Sequence, residues 1–295
     1  MLATPLCLFA YMRPTIYIGL GGTGIRAIAQ TKKMYEDVYG VGKIPPCIAF
    51  LAVDSDSSIL EDKTLATSVE DNFVEGLEPQ AIAGCIDKCW QQVLAIIGLE
   101  NNIVDFHIVS SLADGAGSLI TVADIIKHGY NVRANILGYG VLHGVFRAMK
   151  YNAPRVAANA YSAVLDLDYT MSASYDNPVK FEINGMEREL TCPLFNEFFV
   201  VDNQTERGHI LTNINEICEV LGLCLFANGG EMAGRVRTAL DNISWKNGEF
   251  NVNNKIGWVH SLGACKVVYK GEQLAQLYGY KAAMELIRSI RQEGA

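Results

Sequence analysis

One stretch constrains this chain more than any other: "TIYIGLGGTGIRAIAQ", residues 15 to 30. Six apolar or β-branched residues run into a glycine turn, and an amphipathic helical pattern follows at once. A buried strand that passes through glycines into a helix is the opening unit of a sheet wound with helices. The glycines fit G-x-G-x-x-G through Gly19, Gly21 and Gly24, the pattern of a dinucleotide site. They also form a Gly-Gly-Thr-Gly cluster, Gly21, Gly22, Thr23 and Gly24, of a kind that holds a triphosphate. Glycine lets backbone approach phosphate oxygens, and the helix that follows points free N–H groups and its positive end at them.

The same grammar returns along the chain. "KIPPCIAFLAVDSD" is a second strand that ends in Asp54, Ser55 and Asp56, and residues 81 to 98 have helical periodicity. "NIVDFHIVSSLADGAGSLITVADIIKHGY" is again strand, small-residue turn and helix, with Asp114, Gly115, Ala116, Gly117 and Ser118 at the turn. "NVRANILGYGVL" and "NEFFVVDN" are further strands, "RVAANAYSAVLDLDY" is a helix, and residues 172 to 191 form a polar hairpin-like stretch. "GHILTNINEICEVLGLCLFAN" is a long apolar helix. The expected fold class is α/β, a doubly wound, mostly parallel sheet with a central helix and a smaller or partial α+β second domain. The expected divisions are a nucleotide-binding domain over 12–208, the central helix over 209–228 and the second domain over 229–295. In the tail, "KIGWVHSLGACKVVYKG" has β character and "EQLAQLYGYKAAMELIRSIRQ" is a closing helix.

In such sheets ligands sit beyond the carboxyl ends of the strands, where the two glycine turns and Asp54 fall. Two loops of this kind in one sheet suggest that both grip one phosphate chain. An acidic residue at Asp54 suits a ribose hydroxyl in a dinucleotide site, or Mg2+ through water in a triphosphate site. Asp54 lies 30 residues after Gly24, longer than the spacing of about 20 usual in dinucleotide sites.

Composition excludes several classes. A net charge of −8 over 295 residues leaves no basic excess for nucleic acid. No apolar run approaches the roughly 18 residues of a membrane span. The eight cysteines include no C-x-x-C pair; Cys85 and Cys89 share a helical segment without further ligands nearby, so the thiols are expected buried and free, as in a reducing cytoplasm. His107, His128, His143, His209 and His260 are scattered, and no His-with-acid pair stands out as a proton relay. Met12 directly precedes "RPTIYIGLGG" and is a candidate start.

Together these segments resemble the tubulin/FtsZ superfamily, in particular its divergent bacterial tubulin-like proteins, in patches across residues 14 to 290. "PTIYIGLGGTGIRAI" is similar to that family's first nucleotide loop, and "SSLADGAGS" sits where the superfamily has G-G-G-T-G-[ST]-G. "FFVVDNQTERG" resembles the sugar-contacting loop, and "GWVHSLGACKVVYKGEQLAQLYGYKAAMELI" the start of the second domain.

The resemblance implies GTP or GDP as ligand, with Mg2+ as an accompanying cation. It implies phosphate contacts from Gly21, Gly22, Thr23 and Gly24 on one side and from Gly115, Ala116, Gly117 and Ser118 on the other. Asp54 and Ser55 would lie near phosphates and sugar, Arg155 and Asn159 beside them, and Asp202 or Asn203 near the ribose. Asn213 and Asn215 would face the base. Self-assembly into filaments is a further expectation.

Two departures stand out. Asp114 and Ala116 replace the signature's first glycine and its threonine. After the central helix, "GGEMAGRVRTALDNISW" carries Glu231 and Asp241 at a spacing unlike the family's hydrolytic loop, so GTPase activity is expected weak or absent. The alternatives left open are an NAD(P)- or FAD-binding oxidoreductase and a nucleotide-free scaffold for other proteins.

Overall fold

The computed structural model describes residues 12–57, 72–95, 103–130, 133–148, 153–183, 185–229, 259–262 and 275–285. The chain divides into two units, Met1–Gly263 and Ala264–Ala295. The described part of the second is a helix over residues 275–285, on which Leu277, Tyr278, Tyr280 and Met284 are exposed.

In the first unit β1 (Thr15–Leu20), β2 (Ile48–Asp54), β3 (Phe73–Glu75), β4 (Val104–Ser111), β5 (Ala134–Val141), β8 (Glu197–Val201) and β9 (Val259–Ser261) form one sheet in the order β3-β2-β1-β4-β5-β8-β9. Each described pairing in it is parallel. β1 and β4 are buried along their whole length, as strands covered on both faces must be; β1 therefore reads as an apolar run, while β4 buries Asp105 and His107 among its apolar residues. The strand order reverses between β1 and β4, which makes their carboxyl ends the switch point.

One face is covered by α1 (Gly21–Tyr39) and α5 (Ile214–Asn228). Ile25, Ile28 and Tyr35 pack there with Ile217, Leu221 and Leu225. The two helices come close at Gly222, where a Cβ would lie 2.7 Å from that of Gln30. The other face carries α2 (Pro79–Leu94), α3 (Gly117–Tyr130) and α4 (Ala153–Met171). Ile86, Leu119 and Leu167 share a core there with Val179 and Leu190, the buried ends of an antiparallel hairpin of β6 (Val179–Ile183) and β7 (Met186–Leu190).

The α/β doubly wound sheet is thus as expected. The central helix starts at Ile214 rather than at 209, because Asn213 caps it. β9 lies in the stretch assigned on sequence to the second domain, yet Phe198, Phe199 and Val200 pair with Val259, His260 and Ser261.

Candidate functional site

The first glycine turn has no loop at all. β1 ends at Leu20 and α1 begins at Gly21, whose φ of +64° suits glycine. Leu20 offers no side-chain cap and the first turn carries no acid, so the first N–H groups of α1 have no side-chain acceptor and the helix presents its positive end. The three motif glycines do different work. A Cβ on Gly24 would lie 2.2 Å from the Val109 carbonyl oxygen, and one on Gly19 would lie 2.6 Å from that of Gly24. These two let α1 lie directly on β1 and β4, and Gly21 makes the turn.

At the end of β4 the chain enters a short 3-10 turn, Leu112–Asp114. The Ala113 N–H donates to Ser111 Oγ at 3.1 Å, and the Asn159 side-chain amide on α4 donates to the Ala113 carbonyl at 3.0 Å. Gly115, at φ +98°, then turns the backbone into α3, whose first turn also lacks acidic residues. Both open helix starts flank the β1/β4 switch point.

Between them lies a cavity of about 760 Å³, lined by Gly21, Gly22, Asp54, Ser55, Asp114, Gly117 and Ser118 from the strand ends. Seven of the residues singled out in the sequence therefore share one wall. Thr23, Gly24, Gly115 and Ala116 are not part of it. Thr23 is buried, and its carbonyl accepts from the Cys218 thiol at 3.6 Å; Gly24 is pressed on β4; Ala116 belongs to the core. A threonine side chain at 116 would point into packed apolar residues, so the alanine costs the cavity no donor.

The remaining candidates sit apart. Arg155 is exposed in the first turn of α4. Asp202 and Asn203 follow β8 and crowd Gly144, leaving no room for a Cβ between their side-chain oxygens. Asn203 Nδ2 also donates to the Leu211 carbonyl at 3.2 Å. Asn213 caps α5: its Oδ1 accepts from the Asn215 N–H at 2.9 Å, and Glu216 closes the capping box. Neither Asn213 nor Asn215 lines the cavity; the first is occupied with its helix.

The other wall was not foreseen. Asp166, Tyr169 and Thr170 of α4 and Phe181, Glu182 and Ile183 of β6 line the cavity too. Among the described residues, the charged ones around it are Asp54, Asp114, Asp166 and Glu182, and no described Lys, Arg or His lines it. A bare phosphate chain would meet four carboxylates. Any anion held here needs the two helix starts and a cation together.

Among the described residues two His–acid pairs occur, one between residues far apart in sequence and one between neighbouring turns of α3. His260 Nε2 lies 2.6 Å from Glu197, joining β9 to β8. His128 lies 3.0 Å from Asp124, which also meets Arg188 at 3.2 Å. Burial raises the Asp124 carboxyl above its ordinary range, against the pull of His128 and Arg188. Neither pair lines the cavity. No group of three or more metal-ligating side chains occurs among the described residues, and no described helix is long and apolar enough to cross a membrane. Cys47, Cys85, Cys89, Cys192, Cys218 and Cys224 are free. Glu231 and Asp241 lie outside the described residues.

Compared with known proteins, the chain matches the family model described as "Tubulin like" over residues 16–75 and 73–288. No curated protein matches it significantly.

Proposed function

Because the chain belongs to the tubulin-like family, we propose that it binds a guanine nucleotide, GTP or GDP, with Mg2+, in the cavity at the β1/β4 switch point. One observation carries this reading: two helix starts without acid in the first turn, at Gly21 and Gly117, line a single cavity where the strand order reverses. The α- and β-phosphates sit between them, and Mg2+ offsets Asp54 and Asp114. Hydrolysis is weak or absent, a reading supported by the spacing of Glu231 and Asp241, which is unlike that of the family's hydrolytic loop. Self-association is part of the proposal, supported by Tyr161 and Leu165, exposed one turn apart on α4. So is a cytoplasmic setting, supported by the free thiols.

Titration calorimetry of the purified chain with GDP and GTP in Mg2+ tests the proposal. Micromolar or tighter binding is expected, and absence of heat with either nucleotide overturns it. Light scattering with GTP and Mg2+ reads assembly. The four carboxylates favour one competing reading, a nucleotide-free scaffold. On that reading only Asp114→Gly, which relieves the nest of its charge, would bind nucleotide.

A further inference from the structure

We infer that the chain holds a second binding site, at the opposite end of the sheet from the nucleotide cavity, which takes a small organic molecule with an apolar body and a single carboxylate. The site is a cavity of about 340 Å³ beside the amino-terminal end of β2, lined by Lys32 of α1 and Lys88 of α2. It goes beyond the nucleotide reading and stands without it.

The winding of the chain makes the place. In a parallel sheet each crossover helix runs back against its strands, so the amino ends of the strands lie beside the second halves of helices. Lys32 lies in the second half of α1, and Lys88 and Gln92 in that of α2. α1 and α2 cover opposite faces of the sheet, yet both line this cavity, because it lies at the outer edge of β2 where β3 is too short to cover it. The ladder of β3 with β2 begins only at Ala52. Before it, side chains take over. Asn72 Nδ2 donates to the Phe50 carbonyl at 3.1 Å, and Gln92 Nε2 donates to the Ile48 carbonyl at 3.4 Å. These amides hold the edge carbonyls that an added strand would need, which leaves the cavity to a small ligand. Each amide nitrogen has a second hydrogen to offer it.

The lining sets the ligand class. Ile44, Pro45, Pro46, Ile48 and Phe50 supply apolar wall. Lys32 and Lys88 supply charge, and no acid lines the cavity among the described residues, in a chain with 32 acidic against 24 basic residues. An apolar wall with a few placed donors is the make-up of a small-molecule pocket, and the volume falls at the lower end of the usual roughly 300–1,000 Å³. Phosphate is the poorer anion here. No helix start lines the cavity among the described residues, so it lacks a nest of backbone N–H groups, and the carboxyl end of α2 brings partial negative charge. A single carboxylate needs only the two ammonium groups and an amide. The nucleotide cavity has the reverse character, four carboxylates and two helix starts, so one ligand does not suit both.

Titration calorimetry of the full chain with 4-phenylbutyrate, against its neutral amide 4-phenylbutyramide, tests the inference. The acid is expected to bind about 10-fold more tightly than the amide, the range of a charge-assisted hydrogen bond, and added salt narrows the difference. Lys32→Gln combined with Lys88→Gln brings the acid down to the level of the amide. Lys281→Gln, on the helix of the second unit, leaves the preference unchanged. Neither Lys32 nor Lys88 is buried, and far-UV circular dichroism confirms folding of the variants. In 1H–15N spectra of the wild-type chain the Asn72 and Gln92 side-chain amide signals shift with the acid, which reports the site without any substitution. Saturating GDP leaves those shifts in place.

No binding of the acid, equal affinity for acid and amide, or a preference that survives the double substitution each overturns the inference. So do shifts confined to the nucleotide cavity, or displacement of the acid by GDP. Failure of GDP itself to bind brings down the earlier reading and leaves this one standing.

Discussion

Replacing Gly24 with alanine separates packing from phosphate contact in the glycine motif. The added Cβ would start 2.2 Å from the Val109 carbonyl oxygen, whereas relaxed carbon–oxygen contacts lie at about 3.3 Å or more. Helix α1 must retreat from β4 by about 1 Å. That lifts Ile25 and Ile28, both fully buried, away from their partners. Overpacking alone costs about 1–3 kcal/mol; with backbone on both sides and two core residues disturbed, we expect the upper end, about 3 kcal/mol. In a unit of this size the melting temperature should fall by roughly 6–12 °C. Gly21→Ala is the control. Nothing lies within 4 Å of its Cβ, and the penalty is confined to φ +64°, about 1–2 kcal/mol. Urea unfolding followed by circular dichroism, without nucleotide, measures both. A Gly24→Ala midpoint within error of wild type, with nucleotide binding lost, would refute the packing argument and assign Gly24 to the phosphates.

Asn213→Ala should cost about 0.5–2 kcal/mol by removing the α5 cap, read as a shift of the urea unfolding midpoint. Gly229→Ala should destabilise by about 1–3 kcal/mol, since its Cβ falls on the Tyr17 hydroxyl that donates to the Leu225 carbonyl at 3.0 Å; double-mutant analysis with Tyr17→Phe should show the two costs to be less than additive. Burial pushes the Cys47 and Cys224 thiols up to about 11 and those of Cys89 and Cys218 up to about 12. The folded chain keeps these protons when the unfolded chain releases them, so stability falls as pH rises from about 9, at most about 1.4 kcal/mol per pH unit per thiol. The fall ends near pH 11 for the first pair and near 12 for the second; Cys218→Ala should flatten it in urea titrations. Removing Mg2+ with EDTA should weaken nucleotide binding about tenfold or more, because four carboxylates then face the phosphates uncompensated.

The parts of the fold visible in the sequence are those written in short-range pattern. Thr15–Leu20 is buried on both faces, so its apolar run is unbroken, and a glycine turn directly before a helix announces the phosphate end. The cap at Asn213 was visible as well: Asn213 followed by Glu216 is a capping-box spacing, a local signal that outweighs an amide's suitability for a base. The hairpin wall was not visible. β6 alternates buried and open residues like any half-covered hairpin, and its approach to the cavity depends on α4 and α3. Glu197 and His260, and β8 beside β5, meet only through the sheet, across stretches no periodicity spans. Ala116 misled by analogy: it stands at a signature position, but its side chain faces the core.

A crystal structure of the chain with GDP and Mg2+ tests the central claim most directly. The account predicts phosphate oxygens within hydrogen-bond distance of the Gly22 and Gly117 backbone N–H groups, with Mg2+ between the phosphates and Asp54 or Asp114. Nucleotide bound elsewhere on the sheet, or a cavity empty at saturating GDP, would contradict it.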